Sequence, residues 1–169
     1  MNSFALSGLF TGVTSLALGL FVFFMNPRRP LNRIWLLFTG SVALWGGGGM
    51  WIAMTQDHDT ALWAWRLAFA FGVLWIPILF YHFVLLFCGL PGRRLLNANY
   101  AMGMLLFTVI LGSSLFYDDV RFVFSSFYYA HPGSPVFYAF FVWWVWLVSY
   151  THYQVWQVYQ TAVGQKRKQ

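Results

Sequence analysis

The sequence predicts an all-α integral membrane protein that crosses the bilayer five times. Of its 169 residues, 60% are hydrophobic and only 8% are charged, whereas a soluble domain carries about 25% charged residues. The apolar residues occur in blocks of roughly twenty, the length at which a helix crosses a hydrocarbon core of about 30 Å. The alternating pattern of a β-barrel is absent, so the spans are predicted to be helices that satisfy their own backbone hydrogen bonds.

Proline, glycine and polar residues mark the predicted helix ends. Pro27 and Pro30 follow the first apolar block, a polar stretch at 55–60 follows the second, and Pro91-Gly92 follows the third. The third block is longer than one span requires, which predicts a tilted or protruding helix. The five helices form a single domain, 1–169, and cover approximately residues 4–25, 34–54, 61–89, 100–116 and 136–162.

The basic residues predict the orientation in the membrane. With five spans, all three basic clusters fall on one side, and that side is cytoplasmic by the positive-inside rule. The N-terminus is then outside and the C-terminus inside, as in a multi-pass protein of the bacterial inner (cytoplasmic) membrane. The clusters are Arg28, Arg29 and Arg33; Arg93 and Arg94; and Lys166, Arg167 and Lys168.

The acidic residues all fall on the opposite, outer side. Arg66 lies near the outer end of the third helix, and the pattern favours pairing with Asp57 or Asp59. The triplet Asp57-His58-Asp59 is interpreted as a solvated loop, because three adjacent residues converge poorly on a metal ion. The four acidic residues are Asp57, Asp59, Asp118 and Asp119.

The composition excludes several classes of function. The net charge of +6 comes from separate loop clusters, so no single basic patch indicates nucleic acid as a partner. The spans contain no acidic residue and the chain has no glutamate. Catalytic motifs and metal-ligand spacings are absent as well, so we expect a non-enzymatic protein with no catalytic residues and no metal site.

The longest connection, 117–134, is rich in aromatic residues. Aromatic side chains are common at membrane interfaces, so we expect this loop to lie in the outer interface, as a short amphipathic helix. The alternative is that its rings contact a partner. The rings are Phe122, Phe124, Phe127, Tyr128 and Tyr129.

Glycines on the first two helices predict close helix packing. Gly8, Gly12, Ser15 and Gly19 share one face of the first helix, which lets a neighbouring backbone approach closely. Packing within the chain is the simpler interpretation, and a dimer contact is the alternative.

The second helix carries four consecutive glycines, which are costly inside a helix. We expect them to form a close packing point, a local unwinding or the wall of a small-molecule pocket. These glycines are Gly46, Gly47, Gly48 and Gly49.

Two histidines and a proline are candidate functional residues within the spans. Pro77 lies in the middle of the third helix and predicts a kink, because it frees a backbone carbonyl one turn earlier. His82 and His152 lie at similar depth on different helices, and intramembrane imidazoles can ligate haem or chlorophyll. The alternative is that each histidine is neutral and hydrogen-bonded to a carbonyl or a hydroxyl group.

The fifth helix is rich in tryptophan and tyrosine. Some of these rings anchor at the interfaces, and the others pack on neighbours, lipids or a flat ligand. Trp156, close to His152 along the chain, is a further candidate for a ligand pocket or a packing contact.

A set of short motifs between residues 26 and 94 resembles a known family. An Asn-Pro-basic loop with Asn32-Arg33 precedes Ala43-Leu44-Trp45, and a polar loop precedes Trp65-Arg66-Leu67. Pro77, His82-Phe83 and a Pro-Gly-basic loop follow. The pattern resembles the N-terminal membrane region of bacterial sensor histidine kinases and related regulators. That region has seven helices, and the stretch from Tyr159 to Gln169 looks like its link between helices five and six.

The resemblance implies a sensory, signal-receiving membrane module joined to an output domain. The given residues are expected to supply five of the seven helices without the output domain, as in a fragment or in a shortened relative reused as a small subunit. One hypothesis is therefore a module that binds an apolar ligand or a membrane partner, with a pocket between the second, third and fifth helices. The alternative is a small accessory or scaffolding subunit of a photosynthetic or respiratory complex. Such a subunit would contact lipid, carotenoid, chlorophyll or haem, and it would assemble with other membrane proteins or with copies of itself.

Overall fold

The computed structural model describes residues 3–166, with side chains for residues 3–162. Helices make up most of this part of the chain, and a two-stranded hairpin lies between the last two helices. The elements are α1 (Ser3–Met25), α2 (Pro30–Met54), α3 (His58–Ala68), a π-helical turn (Phe69–Val73), α4 (Trp75–Cys88), α5 (Arg93–Gly112), β1 (Tyr117–Val123), β2 (Phe127–Pro132) and α6 (Pro135–Lys166).

Within residues 3–166, four helical segments are long and apolar enough to cross a membrane. They are α1, α2, the continuous run His58–Cys88 and α5. This architecture is that of a multi-pass, mainly helical membrane protein, which confirms the predicted helical class. α6 is also long, at 32 residues, but many of its rings are tryptophan and tyrosine, whose polar N–H and O–H groups lower its hydropathy.

α2 is the central helix of the bundle. It packs against α1 on one side and against α3 and α4 on another, while α4 in turn contacts α6. The contact with α1 is between backbones: a Cβ atom added at Gly46 would lie 2.5 Å from the Gly12 nitrogen and 2.7 Å from the Gly8 carbonyl oxygen. The predicted glycine face of the first helix therefore serves packing within the chain.

The loop at 117–134 is a β-hairpin, so the expected amphipathic helix is wrong. β1 and β2 pair antiparallel, with Val120 opposite Ala130 and Phe122 opposite Tyr128. Aromatic and β-branched residues favour strands, and the rings of Phe122 and Tyr128 pack across the ladder with centroids 5.1 Å apart. Tyr117, Val120 and Ala130 are buried against the helices, so the hairpin is part of the core.

The third predicted helix, 61–89, is interrupted. α3 and α4 are joined by the π-helical turn, in which the Leu74 N–H donates to the Phe69 carbonyl oxygen at 3.1 Å. The helix also begins earlier than expected, because Asp57 caps it and accepts a hydrogen bond from the Thr60 N–H at 2.8 Å.

The fourth predicted helix, 100–116, is shifted along the chain. α5 begins at Arg93 and ends at Gly112. Its first turns are polar, and hydropathy therefore missed them. Asn99 is nevertheless buried, because its amide nitrogen donates to the Leu95 carbonyl oxygen at 2.8 Å and its oxygen accepts from Trp143 Nε1 at 3.0 Å.

The other helix ends differ less from the prediction. α2 begins at Pro30 rather than at residue 34, since proline suits the first turn of a helix. The backbone of α6 continues to Lys166. The basic tail at 167–169, part of the orientation prediction and of the family resemblance, lies outside the described residues.

Arg66 does not pair with Asp57 or Asp59, so that expectation is wrong. Its Nη2 donates to the Tyr117 carbonyl oxygen at 2.8 Å, and its guanidinium lies 5.4 Å from the centre of the Trp63 ring. Seven residues, or about 10 Å of helix, separate Arg66 from Asp59, so the hairpin carbonyl is the nearer partner.

Candidate ligand-binding site

A cavity of about 410 Å³ lies beneath the hairpin, between the start of α1, α2, the π-helical turn and the start of α6. We call it the aromatic chamber, because ten of the twelve described residues that line it carry aromatic rings. It lies between the second, third and fifth predicted helices, where the receptor hypothesis places a pocket. Its lining residues are Phe4, Trp45, Trp65, Phe69, Val73, Ile76, Tyr117, Phe127, Tyr129, Phe137, Phe141 and Trp144.

Three contacts to α3 hold the hairpin over the chamber. Trp65 Nε1 donates to the Tyr128 carbonyl oxygen at 2.8 Å, and Arg66 donates to the backbone of Tyr117 as described above. At the first residue of α3, His58 Nε2 lies 2.7 Å from Asp119 Oδ1. Both strands are therefore tied to the same helix, which fixes the position of the chamber roof.

Phe69 is the ring around which this part of the core packs. It is only 3% exposed, and its ring centroid lies 5.0 Å from that of Phe116 and 5.2 Å from that of Phe140. Tyr117 meets it edge-on at 5.5 Å. Phe69 therefore connects the π-helical turn, the hairpin and α6 in one aromatic cluster.

Pro77 acts on the chamber through a freed carbonyl group. Because proline has no N–H, the carbonyl of Val73, four residues earlier, lacks its helical donor. Trp144 Nε1 of α6 donates to that oxygen at 3.2 Å. The irregular helix thereby fixes one lining ring, and π-helical turns are frequent at functional sites.

Glycine positions Trp45 at the opposite side of the chamber. A Cβ atom added at Gly72 would lie 2.8 Å from the Trp45 nitrogen and 2.9 Å from its Cβ. Only a glycine in the π-helical turn allows this approach. The Trp45 ring then packs at 5.8 Å from Trp65 and at 6.4 Å from Phe69.

Tyr117 and Tyr129 are the two lining residues that carry a hydroxyl group. Tyr117 is only 2% exposed, and among the described residues no group exchanges a hydrogen bond with either hydroxyl. The Tyr117 oxygen is not among the enclosed polar atoms that lack a partner, and Tyr129 is 54% exposed. Burial raises the pKa of Tyr117 well above its ordinary value, and the nearby Tyr129 adds to the effect. The Tyr117 hydroxyl is therefore a neutral donor at physiological pH.

A cluster of charged groups joins the start of α3 to the hairpin. His58 Nδ1 lies 2.9 Å from Asp59 Oδ1 while its Nε2 contacts Asp119, and both nitrogens can donate only in the imidazolium form. The hydrogen bond from His58, assisted by the Val120 N–H, lowers the pKa of Asp119. These charged groups lie outside the chamber, because none of the described residues that line it carries a charged side chain.

The four glycines of α2 have different environments, and none of them lines the chamber. Gly46 contacts the α1 backbone, and a Cβ atom at Gly48 would overlap Ala68. Gly49 is buried, and the nearest atom to its added Cβ is Phe4 Cζ, at 4.0 Å. Gly47 faces open space and lines a different groove. The run therefore serves packing at two positions at least, without unwinding α2.

Trp156 lies far along α6 from the chamber. Its side chain is 57% exposed, and it lines a shallow depression with Tyr153, Gln157, Gln160 and Thr161. Pro77 is buried in α4 and does not line the chamber. Of the candidate pocket residues, only Pro77 therefore influences the chamber, and it does so indirectly.

His82 and His152 each have a separate hydrogen-bond partner. His82 Nδ1 lies 2.9 Å from the Tyr100 hydroxyl of α5, and His152 Nδ1 lies 2.8 Å from the Val148 carbonyl oxygen. The His152 ring packs against Phe80, about 200° around α4 from His82 at 100° per residue. The structure does not bring the two imidazoles to a common centre, and ligation by either Nε2 remains a prediction.

A larger apolar groove of about 840 Å³ runs along α1 and α2. Gly40 and Gly47 form part of its floor, and an added Cβ at either position would meet nothing within 4 Å. Its two side-chain hydroxyls already have partners: Ser41 donates to the Phe38 carbonyl oxygen and Tyr100 contacts His82. The remaining polar side-chain group among its described lining residues is the indole N–H of Trp75, so the groove offers mainly apolar contact, whereas the chamber adds two tyrosine hydroxyls.

Most chamber residues were missed from the sequence. Trp45 and Trp65 occur in the motifs of the family resemblance, and Tyr129 and Phe127 were assigned to a membrane-interface loop. The signal that could have connected them was the concentration of rings in both the loop at 117–134 and the first turns of the fifth helix. That signal does not reveal a hairpin that folds inward.

Comparison of the chain with models of protein families, with curated proteins and with solved structures gives no significant match.

Proposed function

We propose that this chain is a non-enzymatic, receptor-like membrane module that binds an apolar small molecule in the aromatic chamber. The observation that carries the proposal is the chamber itself, a cavity of about 410 Å³ lined mainly by rings and roofed by the hairpin. Ligand pockets commonly measure about 300–1,000 Å³ and combine an apolar lining with a few polar groups. The chamber has both properties.

Rigid rings support a binding role because they keep the cavity open. Tryptophan, tyrosine and phenylalanine have only two side-chain torsions, so they present large contact areas at low entropic cost. Trp65 and Trp144 are further fixed by hydrogen bonds to backbone carbonyl groups. A ligand would therefore enter a largely preformed site.

α6 offers a route from the chamber to the other end of the bundle. Phe137, Phe141 and Trp144 line the chamber at the start of this helix, and its backbone continues to Lys166. At 1.5 Å per residue the helix is about 48 Å long. A ligand that shifts these three rings would move α6 as one continuous helix. Such a movement suits the signal-receiving role implied by the family resemblance.

The proposed topology has five spans in a bacterial inner membrane, with the N-terminus outside. α6 packs beside α4 and is long enough to cross with it. The contact between His58 and Asp119 places the α2–α3 connection and the hairpin at one end, which we assign to the outer side. Reporter fusions after Met54 and Cys88 test this topology: the first is expected to report an outer location and the second a cytoplasmic one.

Photolabelling tests the proposed function. A fluorene that carries a diazirine group is added to the purified chain in lipid nanodiscs, and the labelled peptides are mapped by mass spectrometry. The proposal predicts saturable labelling of the chamber segments, 69–76 and 137–144, that excess fluorene prevents. Labelling that rises linearly with probe and spreads over lipid-facing residues would contradict it.

The alternative function, an accessory subunit, is favoured by a separate observation. Tyrosine and tryptophan side chains on the last half of α6 remain more than half exposed, including Tyr153, Trp156 and Tyr159. Such a face suits contact with another membrane protein, with chlorophyll or haem at His82 or His152 as a further expectation. Co-purification separates the roles: a stable chain isolated alone or as a homo-oligomer, without a Soret or chlorophyll absorption band, argues against the subunit.

A further inference from the structure

The chamber combines flat apolar walls with two hydroxyl donors that lack acceptors. Tyr117 and Tyr129 lie on the hairpin, and among the described residues neither hydroxyl has a hydrogen-bond partner. Tyr117 is almost completely buried as a residue, but its oxygen is not among the enclosed polar atoms that lack a partner, and Tyr129 is 54% exposed. Both hydroxyls therefore remain accessible, and a ligand in the cavity can accept the hydrogen bonds that no described residue accepts.

From this combination we infer the class of ligand, an inference that rests on the proposed function. The chamber takes a flat, uncharged ring compound with a carbonyl oxygen, which accepts hydrogen bonds from Tyr117 and Tyr129. A carbonyl oxygen has two lone pairs and can accept from both hydroxyls. The ring system then stacks among the surrounding side chains.

The shape of the site favours a flat ligand over a branched chain. Phe4 and Phe127 stack at 4.5 Å with an angle of 14° between their planes, and they join α1 to the hairpin at the chamber wall. Trp45, Phe69 and Trp144 approach from other elements. Aromatic pairs prefer offset-stacked or edge-to-face arrangements, and a planar guest can make both with walls of this composition.

The charges around the site argue against an organic cation. An aromatic cage can bind a quaternary ammonium group, but none of the described residues that line the chamber carries a carboxylate. Arg66 does not line the chamber, but it donates to the backbone of the lining residue Tyr117. A positive charge beside the lining disfavours a cationic guest.

An anionic ligand is also disfavoured. Moving a carboxylate into an apolar site is costly unless a cation pairs with it. Arg66 donates through Nη2 to the Tyr117 carbonyl oxygen and lies beside the Trp63 ring, while its Nε is buried without a hydrogen-bond partner among the described residues. Arg66 is not among the described residues that line the chamber, so no cationic side chain of the lining can pair with a carboxylate there. A neutral carbonyl compound uses the available donors without bringing an unpaired charge into the chamber.

A matched pair of ligands tests the inference. Fluorene and 9-fluorenone share one flat ring system and differ only in a methylene group and a carbonyl group. Each competes with the diazirine-bearing fluorene for the chain in nanodiscs, and the apparent Kd is measured. Fluorenone is expected to bind about five-fold more tightly for each hydrogen bond gained.

Tyrosine variants then locate the effect. Tyr117→Phe and Tyr129→Phe remove the hydroxyls and keep the rings, so the double variant should bind both compounds with the affinity that fluorene shows for the unchanged chain. Tyr138→Phe is the control, because Tyr138 is 61% exposed and does not line the chamber. Circular dichroism and thermal unfolding confirm that each variant is folded.

The possible results separate this inference from the proposed function. Equal affinity for fluorene and fluorenone, or preference for phenyltrimethylammonium, would overturn the ligand class while the chamber remains a binding site. A preference for fluorenone that survives the double substitution would overturn the roles of Tyr117 and Tyr129. If neither ring compound reduces labelling of the chamber, the proposed function and this inference both fail.

Discussion

Trp45 and Gly46 are consecutive residues of α2, yet Gly46 lies in a tight helix contact and Trp45 lines an open cavity. Gly46 meets the α1 backbone so closely that an added Cβ would lie 2.5 Å from the Gly12 nitrogen. Trp45 faces the aromatic chamber, where about 410 Å³ stays unfilled. One residue, or 100° of helical rotation, separates a closed backbone seam from an open cavity.

The difference shows how side-chain size sets the distance between helices. Inside a membrane the apolar surroundings provide little hydrophobic drive for helix association, so packing decides that distance. Small residues let backbones approach until they make direct dispersion contacts. Large rings hold the elements apart, and their rigid shapes cannot fill every gap. The α1–α2 seam is therefore expected to provide stability and the chamber to provide binding.

The largest expected effect comes from removing the central ring of the chamber. Phe69→Ala should lower the free energy of unfolding by about 3–5 kcal/mol, because it deletes a buried ring and enlarges the cavity. Denaturant titration in detergent, followed by circular dichroism, measures the change. Phe124→Ala is the control: this ring is 90% exposed, and surface changes usually stay within about 0.5 kcal/mol. Equal effects of the two substitutions would contradict the central position of Phe69.

The second test compares neighbouring glycines of α2. Gly46→Ala should destabilise the chain by about 1–3 kcal/mol, because its methyl group clashes with the α1 backbone. Gly47→Ala should be neutral or stabilising by up to about 1 kcal/mol, since its Cβ meets nothing within 4 Å and alanine is the better helix former. The same titration measures both variants. A Gly46→Ala chain as stable as Gly47→Ala would show that the seam is not tight.

The smallest expected effect concerns the attachment of the hairpin to α3. Because the hydrogen bond from His58 lowers the pKa of Asp119, this carboxylate stabilises the fold at neutral pH. The contribution is lost as the pH falls through the lowered pKa. Hydrogen exchange of the hairpin amides should therefore be faster in Asp119→Asn than in the unchanged chain at neutral pH, with the difference disappearing in strong acid.

Asp118→Asn is the matched control for that measurement. Asp118 contacts His131 at 3.0 Å within the hairpin, so its loss should not detach β1 from α3. Equal acceleration of hairpin exchange in both variants would argue against a specific role for Asp119.

The sequence predicted the helical membrane class and the glycine packing because both depend on local patterns. Apolar blocks reveal spans, and small residues at helical spacing indicate close contact. Polar helix ends were harder: hydropathy placed the fourth helix at 100–116, whereas Arg93 and the buried Asn99 belong to it. The structure satisfies Asn99 through Leu95 and Trp143, a long-range contact that no local pattern contains.

The chamber could not be predicted in detail because tertiary contacts create it. Pro77 was recognised as the source of a free carbonyl group, but the pairing of Val73 with Trp144 spans 71 residues. The hairpin was missed because the same aromatic residues suit an interfacial helix or a strand. Its inward position depends on Trp65 and Arg66 binding backbone carbonyl groups of the hairpin.

The central claim is that the chamber is the binding site. It is tested most directly by counting the probe molecules bound per chain after a substituted side chain has filled the chamber. Val73→Phe places an extra ring in the chamber lining, whereas Val142→Phe makes the same change at a side chain that is 72% exposed on α6. Saturable labelling by the diazirine-bearing fluorene is then counted per folded chain. We predict one site per chain in the unchanged protein and in Val142→Phe, and none in Val73→Phe. Undiminished saturable labelling of folded Val73→Phe would show that the ligand binds elsewhere.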